Sequence, residues 1–213
     1  MNIQYIEKNT DMKVEYHETI TSTSEMAKEI AEEKLRNCNV AKEKTVIISE
    51  NQTHGKGTKE RVWYSSYGDN ILMTLVFYPR NSIQELQHLT YDIAKMIQSA
   101  IKDLYNILLD IKLPNDLMLN GKKICGILTE SSIQGDKLKY LLIGIGFNVN
   151  QLEFPEEVKG IATSLKKAFP EVEFDREEII VKVINNIKSL ISFWPLSLMI
   201  WPVRLIVIQK NKI

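Results

Sequence analysis

Between residues 50 and 63 the sequence ENQTHGKGTKERVW sets two glycines two apart among Lys56, Lys59 and Arg61. An anionic phosphate needs backbone N–H groups free to point at it and a cation or two nearby. Gly55, Lys56 and Gly57 therefore read either as a phosphate-holding loop or as an exposed charged hairpin. The chain has no Gly-x-x-x-x-Gly-Lys-Ser/Thr segment, and Gly55-x-Gly57 and Gly144-x-Gly146 are followed by Glu60 and Val149 where a dinucleotide fingerprint needs a third glycine. At 112 to 116, KLPND, Pro114 stops a strand and gathers Lys112, Asn115 and Asp116 at its end, as a site or as a plain Asn-Asp turn. Strand alternation after Asn120-Gly121 puts Lys123 on the face opposite Lys122 and Ile124, so one of the two lysines points inward. A core-facing lysine needs an anion, which favours a bound phosphate or carboxylate. Ser22, Thr23 and Ser24 head a helix, where they cap it or face a polar ligand. The glycine-interrupted segment GIGFNVN at 144 to 150 is a bulge or a place where the backbone approaches a ligand closely, and Cys125 between Ile124 and Gly126 is a small buried residue.

The elements that must hold these residues follow from patterning. A helix starts with the capping-box spacing of Ser22 and Glu25, and TVIIS at 45 to 49 is a strand. ILMTLVFY at 71 to 78 suits an interior strand. The longest helix opens at Ser82 and Glu85 and runs Ile83, Leu86, Leu89, Ile93, Ile97, Ile101, Leu104 along one face. ILLDIKL, LML and KKICGILTE are three strands around an Asn120-Gly121 hairpin turn, and a second turn at Gln134 to Lys137 leads into LKYLLIGIGFNVN. A last helix starts at Asp175 and carries Ile179, Ile180, Val183, Ile184, Ile187 and Ile191. Hairpins outnumber βαβ units, so the class is α+β: helices on a mixed, largely antiparallel sheet.

The 213 residues carry 27 basic and 27 acidic side chains, so no bulk field attracts nucleic acid or an anionic membrane, and any phosphate is held locally. Two cysteines and three histidines never fall at zinc-ligand spacing, so no protein-held metal is expected. No secretory signal opens the sequence, and a reducing, cytoplasmic setting is expected. Residues 190 to 208, LISFWPLSLMIWPVRLIVI, form an apolar run near the roughly 20 residues of a membrane span, but Pro195, Pro202 and Arg204 argue against insertion.

In this order, TSTS (21 to 24), NQTHGKGTKERVW (51 to 63), KLPNDLML (112 to 119), GKKICGILTE (121 to 130) and GIGFNVN (144 to 150) resemble the biotin protein ligases over about residues 15 to 190. The resemblance implies a fold related to class II aminoacyl-tRNA synthetase catalytic domains. It implies a two-step reaction: biotin and MgATP give biotinyl-5'-AMP, and biotin then passes to a lysine of a carboxylase's biotin carboxyl carrier domain. Biotin and ATP are then substrates, Mg arrives only with ATP, and there is no prosthetic group. By the same resemblance Ser22, Thr23, Ser24, Gln52, Gly55, Lys56, Gly57, Thr58, Trp63, Lys123, Gly126 and Gly144 contact biotin, with Ser24 where Asn is commoner. Lys56, Arg61, Lys112, Asn115, Lys123, Gly146 and Asn148 contact the nucleotide, and Lys123, Lys112, Asp116 and Arg61 carry the chemistry. Leu113 replaces the family's Trp, and Thr58 replaces an arginine that helps hold the adenylate, so activated biotin is expected to escape more readily unless Lys56 or Lys59 substitutes. Too few residues precede Thr21 for a winged helix-turn-helix, so no operator binding is expected, and residues 191 to 213 stand as an aberrant apolar tail where the family has an SH3-like domain. A homodimer stays open, as do a lipoate or octanoate ligase on the same scaffold and a non-catalytic biotin-binding relic.

Overall fold

A computed structural model describes residues 1–37, 43–58, 61–79, 88–135 and 137–197. Cys38, Lys59, the Ser82/Glu85 capping spacing with Ile83 and Leu86, and the tail beyond Ser197 lie outside the described residues. Among the described residues, α1 (Ile3–Thr10), β1 (Lys13–Ile20), α2 (Thr23–Arg36), β2 (Thr45–Gln52) and β3 (Ile71–Phe77) come first. Then follow α3 (Leu89–Tyr105), β4 (Asp110–Lys112), β5 (Asp116–Leu119), β6 (Lys122–Gln134), β7 (Lys137–Phe147), α4 (Glu156–Lys159), α5 (Leu165–Ala168) and α6 (Arg176–Ser197).

The strands form one seven-stranded sheet in the order β1-β2-β3-β7-β6-β5-β4. The α2 crossover makes β1 and β2 parallel, and every other pair is antiparallel, as hairpin-rich patterning requires. The apolar run of β3 is buried along its whole length because β2 and β7 flank it and both of its faces are covered. One face carries the main core, where Ile93, Ile97 and Ile101 of α3 meet Ile180, Ile184 and Ile187 of α6 and Ile6 of α1. The other face is covered by α2 through Ala27 and Ala31 over Ile47, Val76 and Leu142.

Over the described residues α3 spans 17 residues and α6 spans 22, the apolar stripe of α6 continuing past Ile187 and the helix reaching Ser197, the last residue described. Among the described residues no helix is long and apolar enough to cross a membrane. The capping box at Ser22 and Glu25 does not form. Ser22 occupies the N-cap with extended backbone, but its hydroxyl makes no cap bond, and Glu25 turns instead to Lys56. By contrast, Asp175 does cap α6, accepting from Glu178 N–H at 3.0 Å.

Arg176, at the start of α6, reaches the sheet. Its guanidinium donates to Glu50 of β2 at 2.6 Å and to the Asn70 carbonyl at 3.0 Å, and the Tyr16 hydroxyl donates to the same carboxylate at 3.1 Å. The Glu50 side chain is 5% exposed and that of Arg176 13%, so losing either partner strands a buried charge. Arg176→Met is expected to lower the unfolding free energy by about 3 kcal/mol, measured by urea denaturation. An unchanged midpoint would show that water replaces the pair.

Candidate active site

The site forms where α2, the loop after β2, and strands β5 to β7 converge on the face that α2 covers only in part. The Asn120-Gly121 turn, with φ of 51° and 75°, closes the β5–β6 hairpin as a two-residue turn requires. Leu117 opposes Cys125 and Met118 opposes Lys123, so Ile124 is an extra residue, a bulge. This changes the expected alternation. Ile124 and Cys125 are both fully buried, Lys122 is exposed, and Lys123 turns into the site. Its backbone is held from outside the sheet, Lys123 N–H donating to the Ile161 carbonyl at 2.7 Å and its carbonyl accepting from Thr163 N–H at 2.9 Å.

Lys123 Nζ lies 2.7 Å from Asp116 Oδ1 and 5.3 Å from the centre of the Trp63 ring. The anion that the inward lysine needs is supplied by the protein itself, from the KLPND segment. An ammonium has three protons, so pairing with one carboxylate oxygen leaves Nζ with protons to give. Trp63 lies flat on two glycines that pair across β6 and β7, Gly126 and Gly146. A Cβ on Gly146 would stand 2.5 Å from the indole, and one on Gly126 would stand 2.8 Å from it and 3.2 Å from Lys123 Nζ. The glycine-interrupted strand is thus a floor for an aromatic ring of the protein itself, with regular pairing and no bulge at Gly144–Gly146.

Three cavities adjoin here, one of them, of about 830 Å³, lying over the glycine loop between His54, Gly55, Lys56, Arg61, Leu128 and Glu130. The most polar of them, a cleft of about 430 Å³, is lined by Thr23, Ser24, Gln52, Lys56, Gly57, Thr58, Trp63, Asn115, Lys123, Gly126, Gly144 and Gly146 above an apolar part made by Met73, Ile127, Leu128 and Ile145. A more apolar one of about 660 Å³ is lined by Gly57, Thr58, Arg61, Trp63, Lys123 and Asn148, together with Tyr64, Phe154, Val158, Ile161 and Ala162. Gly57, Thr58, Trp63 and Lys123 border both the polar cleft and this apolar cavity. Gly55 lines only the cavity over the glycine loop, and Ser22, Lys112 and Asp116 line none of the three. Asp116 acts on the site through Lys123, Gly55 lies against the Trp63 backbone and Gln52, and Lys112 is exposed at the end of β4.

In the glycine loop, Lys56 Nζ pairs with Glu25 at 2.8 Å, a hydrogen bond that raises the lysine above its usual pKa and ties the loop to the first turn of α2. Arg61 donates to the Thr58 carbonyl at 3.1 Å and to its hydroxyl at 2.7 Å, so the residue standing in the place of an arginine holds the arginine that is present. Asn115 braces β5 against β6 by donating to the Ile127 carbonyl at 3.1 Å. Asn148 donates to the Thr163 carbonyl at 3.0 Å. Burial pushes the Cys125 thiol up, so it stays protonated and is no nucleophile.

Three buried polar atoms at or beside the site have no partner: Ser22 Oγ, Trp63 Nε1 and Asn148 Oδ1. A folded chain satisfies nearly all such groups, so a cluster of orphans marks a place built for a ligand. Among the described residues no group of three or more His, Cys, Asp or Glu side chains gathers to hold a metal ion.

The sequence reading missed the apolar wall from Phe154 to Ala162, where no spacing signals a pocket. It also missed Thr74, whose signal was visible as the one polar residue within ILMTLVF. Thr74 is fully buried and donates to Thr23 Oγ1 at 2.9 Å.

The family model described as the biotin/lipoate A/B protein ligase family matches residues 16–148. The chain belongs to this family. Among curated relatives, the bifunctional ligase/repressor BirA of Bacillus subtilis is 39% identical over 171 residues, 79% of this chain and 50% of that protein. A biotin–(acetyl-CoA-carboxylase) ligase of Paracoccus denitrificans is 33% identical over 105 residues, 48% of this chain and 43% of that one. The chain thus spans about half the length of these curated relatives. The solved biotin protein ligase of Aquifex aeolicus in complex with biotin and ATP superposes with a TM-score of 0.66 at 27% identity, covering 85% of this chain and 71% of that one. The α+β class and the class II synthetase-like sheet read from the sequence are those of this ligase family.

Proposed function

We propose that residues 1 to about 190 form an ATP-dependent biotin protein ligase catalytic domain. The observation that carries the reading is the place of Lys123, whose side chain borders both the polar cleft and the apolar cavity. A carboxylic acid seated in the first and a nucleotide in the second meet at that ammonium. The Aquifex relative, whose structure holds biotin and ATP, supports this assignment of ligands.

In the first step a biotin carboxylate oxygen bonds to the α-phosphorus of ATP, the α–β bridging P–O bond breaks, and pyrophosphate leaves with the electron pair. Lys123 and Arg61 stabilise charge on the phosphate, and Mg²⁺ enters bound to the triphosphate. In the second step a carrier lysine amine attacks the acyl carbon and AMP leaves. The carrier is a biotin carboxyl carrier domain, as the name of the Paracoccus relative suggests. No protein nucleophile is required, so catalysis is positioning plus fixed positive charge.

Gln52 and the Ser22–Ser24 segment offer donors and acceptors suited to a urea ring, while Gly126, Gly144 and Gly146 leave room for a ring system on the sheet. The test is biotin-dependent exchange of labelled pyrophosphate into ATP, with lipoate as control. Exchange with biotin alone is expected. Exchange with lipoate alone would move the chain to the other branch of the family, and none with either acid would make it a binding module.

A further inference from the structure

The interior strand β3 carries a hydroxyl that none of the five motifs contains. Thr74 is 0% exposed, and its hydroxyl lies 2.9 Å from Thr23 Oγ1 and 3.3 Å from Ser24 Oγ. Burying a hydroxyl is unfavourable unless it is bonded, and an apolar residue of the same shape would suit the strand. Bonds to two adjacent residues at the start of α2 call for a reason.

The order of protons along this chain of groups is fixed by one backbone amide. Thr23 N–H donates at 2.7 Å to the Gln52 side chain, so the atom facing it is the carbonyl Oε1 and not the amide nitrogen. That oxygen also faces the Thr23 hydroxyl at 3.1 Å, and an acceptor there draws the Thr23 proton toward it. Thr23 Oγ1 then offers only lone pairs to Thr74, so Thr74 must donate to it. The one proton of Thr74 is thereby used, and Ser24 must donate to Thr74. Each hydroxyl has a single proton, so one amide sets the whole sequence.

Both ends of this relay line the polar cleft. With its proton committed, Ser24 Oγ presents only lone pairs and accepts from a ligand N–H. Gln52, with Oε1 committed to Thr23, has only its Nε2 donors left to offer a ligand C=O from its place in the cleft wall. One acceptor and one donor of fixed sense match the edge of a cyclic urea, which offers N–H beside C=O.

We propose that Thr74 is a positioning residue for substrate recognition: it fixes the proton order of the Ser24–Thr74–Thr23–Gln52 relay, and so the donor and acceptor polarity of the urea end of the cleft. The proposal rests on the reading of the site as a biotin site, and it adds a residue behind the contact layer that touches no substrate. Without Thr74, Ser24 Oγ rotates freely and donates as readily as it accepts.

The test is Thr74→Val, which keeps the shape and removes the hydroxyl, beside Thr74→Ser, which restores it. The KM for biotin in the exchange reaction is expected to rise about tenfold in Thr74→Val with kcat little changed, and to return toward the original in Thr74→Ser. Dethiobiotin, which keeps the urea and lacks the thioether, should lose affinity by the same factor. A loss for biotin alone would overturn the proposal by showing that Thr74 acts through packing, as would equal losses in the Ser and Val variants. An unchanged KM in Thr74→Val would also overturn it. Should the Val variant fail to fold, Thr74→Cys, a weak donor close in size to serine, is expected to show a smaller rise, and the absence of any rise there would sink the idea. Failure of the unmutated protein to bind biotin at all would refute the functional reading itself, an outcome distinct from these.

Discussion

Replacing Lys123 by alanine is expected to lower biotin-dependent pyrophosphate exchange by about 100- to 1,000-fold, the usual loss when a fixed positive partner of a developing oxyanion is removed. The fold should survive, because Lys123 is held by its own N–H and C=O, bonded to Ile161 and Thr163, and those bonds do not involve the side chain. The change leaves Asp116 without its cation at 2.7 Å, so an electrostatic side effect has to be separated from lost chemistry. Asp116→Asn in the alanine background removes the stranded charge. If exchange stays low in the double variant, the lysine itself is what the reaction needs, and full exchange in Lys123→Ala would remove it from the mechanism.

A comparable loss is expected from a change that adds atoms. Gly146 has no need of positive φ, so valine at this place in β7 is acceptable to the backbone and favoured by strand propensity. Its Cβ would fall 2.5 Å from the Trp63 indole, and all three of its nearest neighbours belong to that ring. Trp63 would have to lift from the sheet, and it forms part of the wall of the polar cleft and of the apolar cavity. Gly146→Val is therefore expected to weaken biotin binding on the order of 100-fold, since displacement of a positioning group by an ångström costs that much. Thermal unfolding should be nearly unmoved. Isothermal titration and a melting curve on the same sample would check both, and intact binding would show that Trp63 is free to move aside.

Much of this arrangement was legible in the sequence, and what was not has physical causes. Strands β3 and β7 declared themselves because both faces are covered and nearly every residue is apolar. By contrast, β1 lies at the sheet's edge with Val14 its only buried residue, so no alternation of burial marks it, and α1 before it buries only Ile6 and Thr10. The Ile124 bulge follows from the partner strand and from the segment around Ile161, neither of which leaves a trace in the residues near 124. For the site, motif spacing located Lys123 and Asp116 separately, yet their contact depends on a hairpin register that no motif encodes. Lys112 shows the converse: it stands in a motif, but the backbone leaves it exposed and outside all three cavities.

The position of β3 inside the sheet, between β2 and β7, has a consequence for how the protein is made. Its partner on one side, β2, immediately precedes it in the chain, but its partner on the other side, β7, is synthesised only after α3, β4, β5 and β6. Until then ILMTLVF is the open edge of a growing sheet, apolar and with its backbone groups unpaired on one side, the kind of strand that templates association between chains. Thr74 sits in the middle of that edge, and on the ribosome it is the strand's one polar residue.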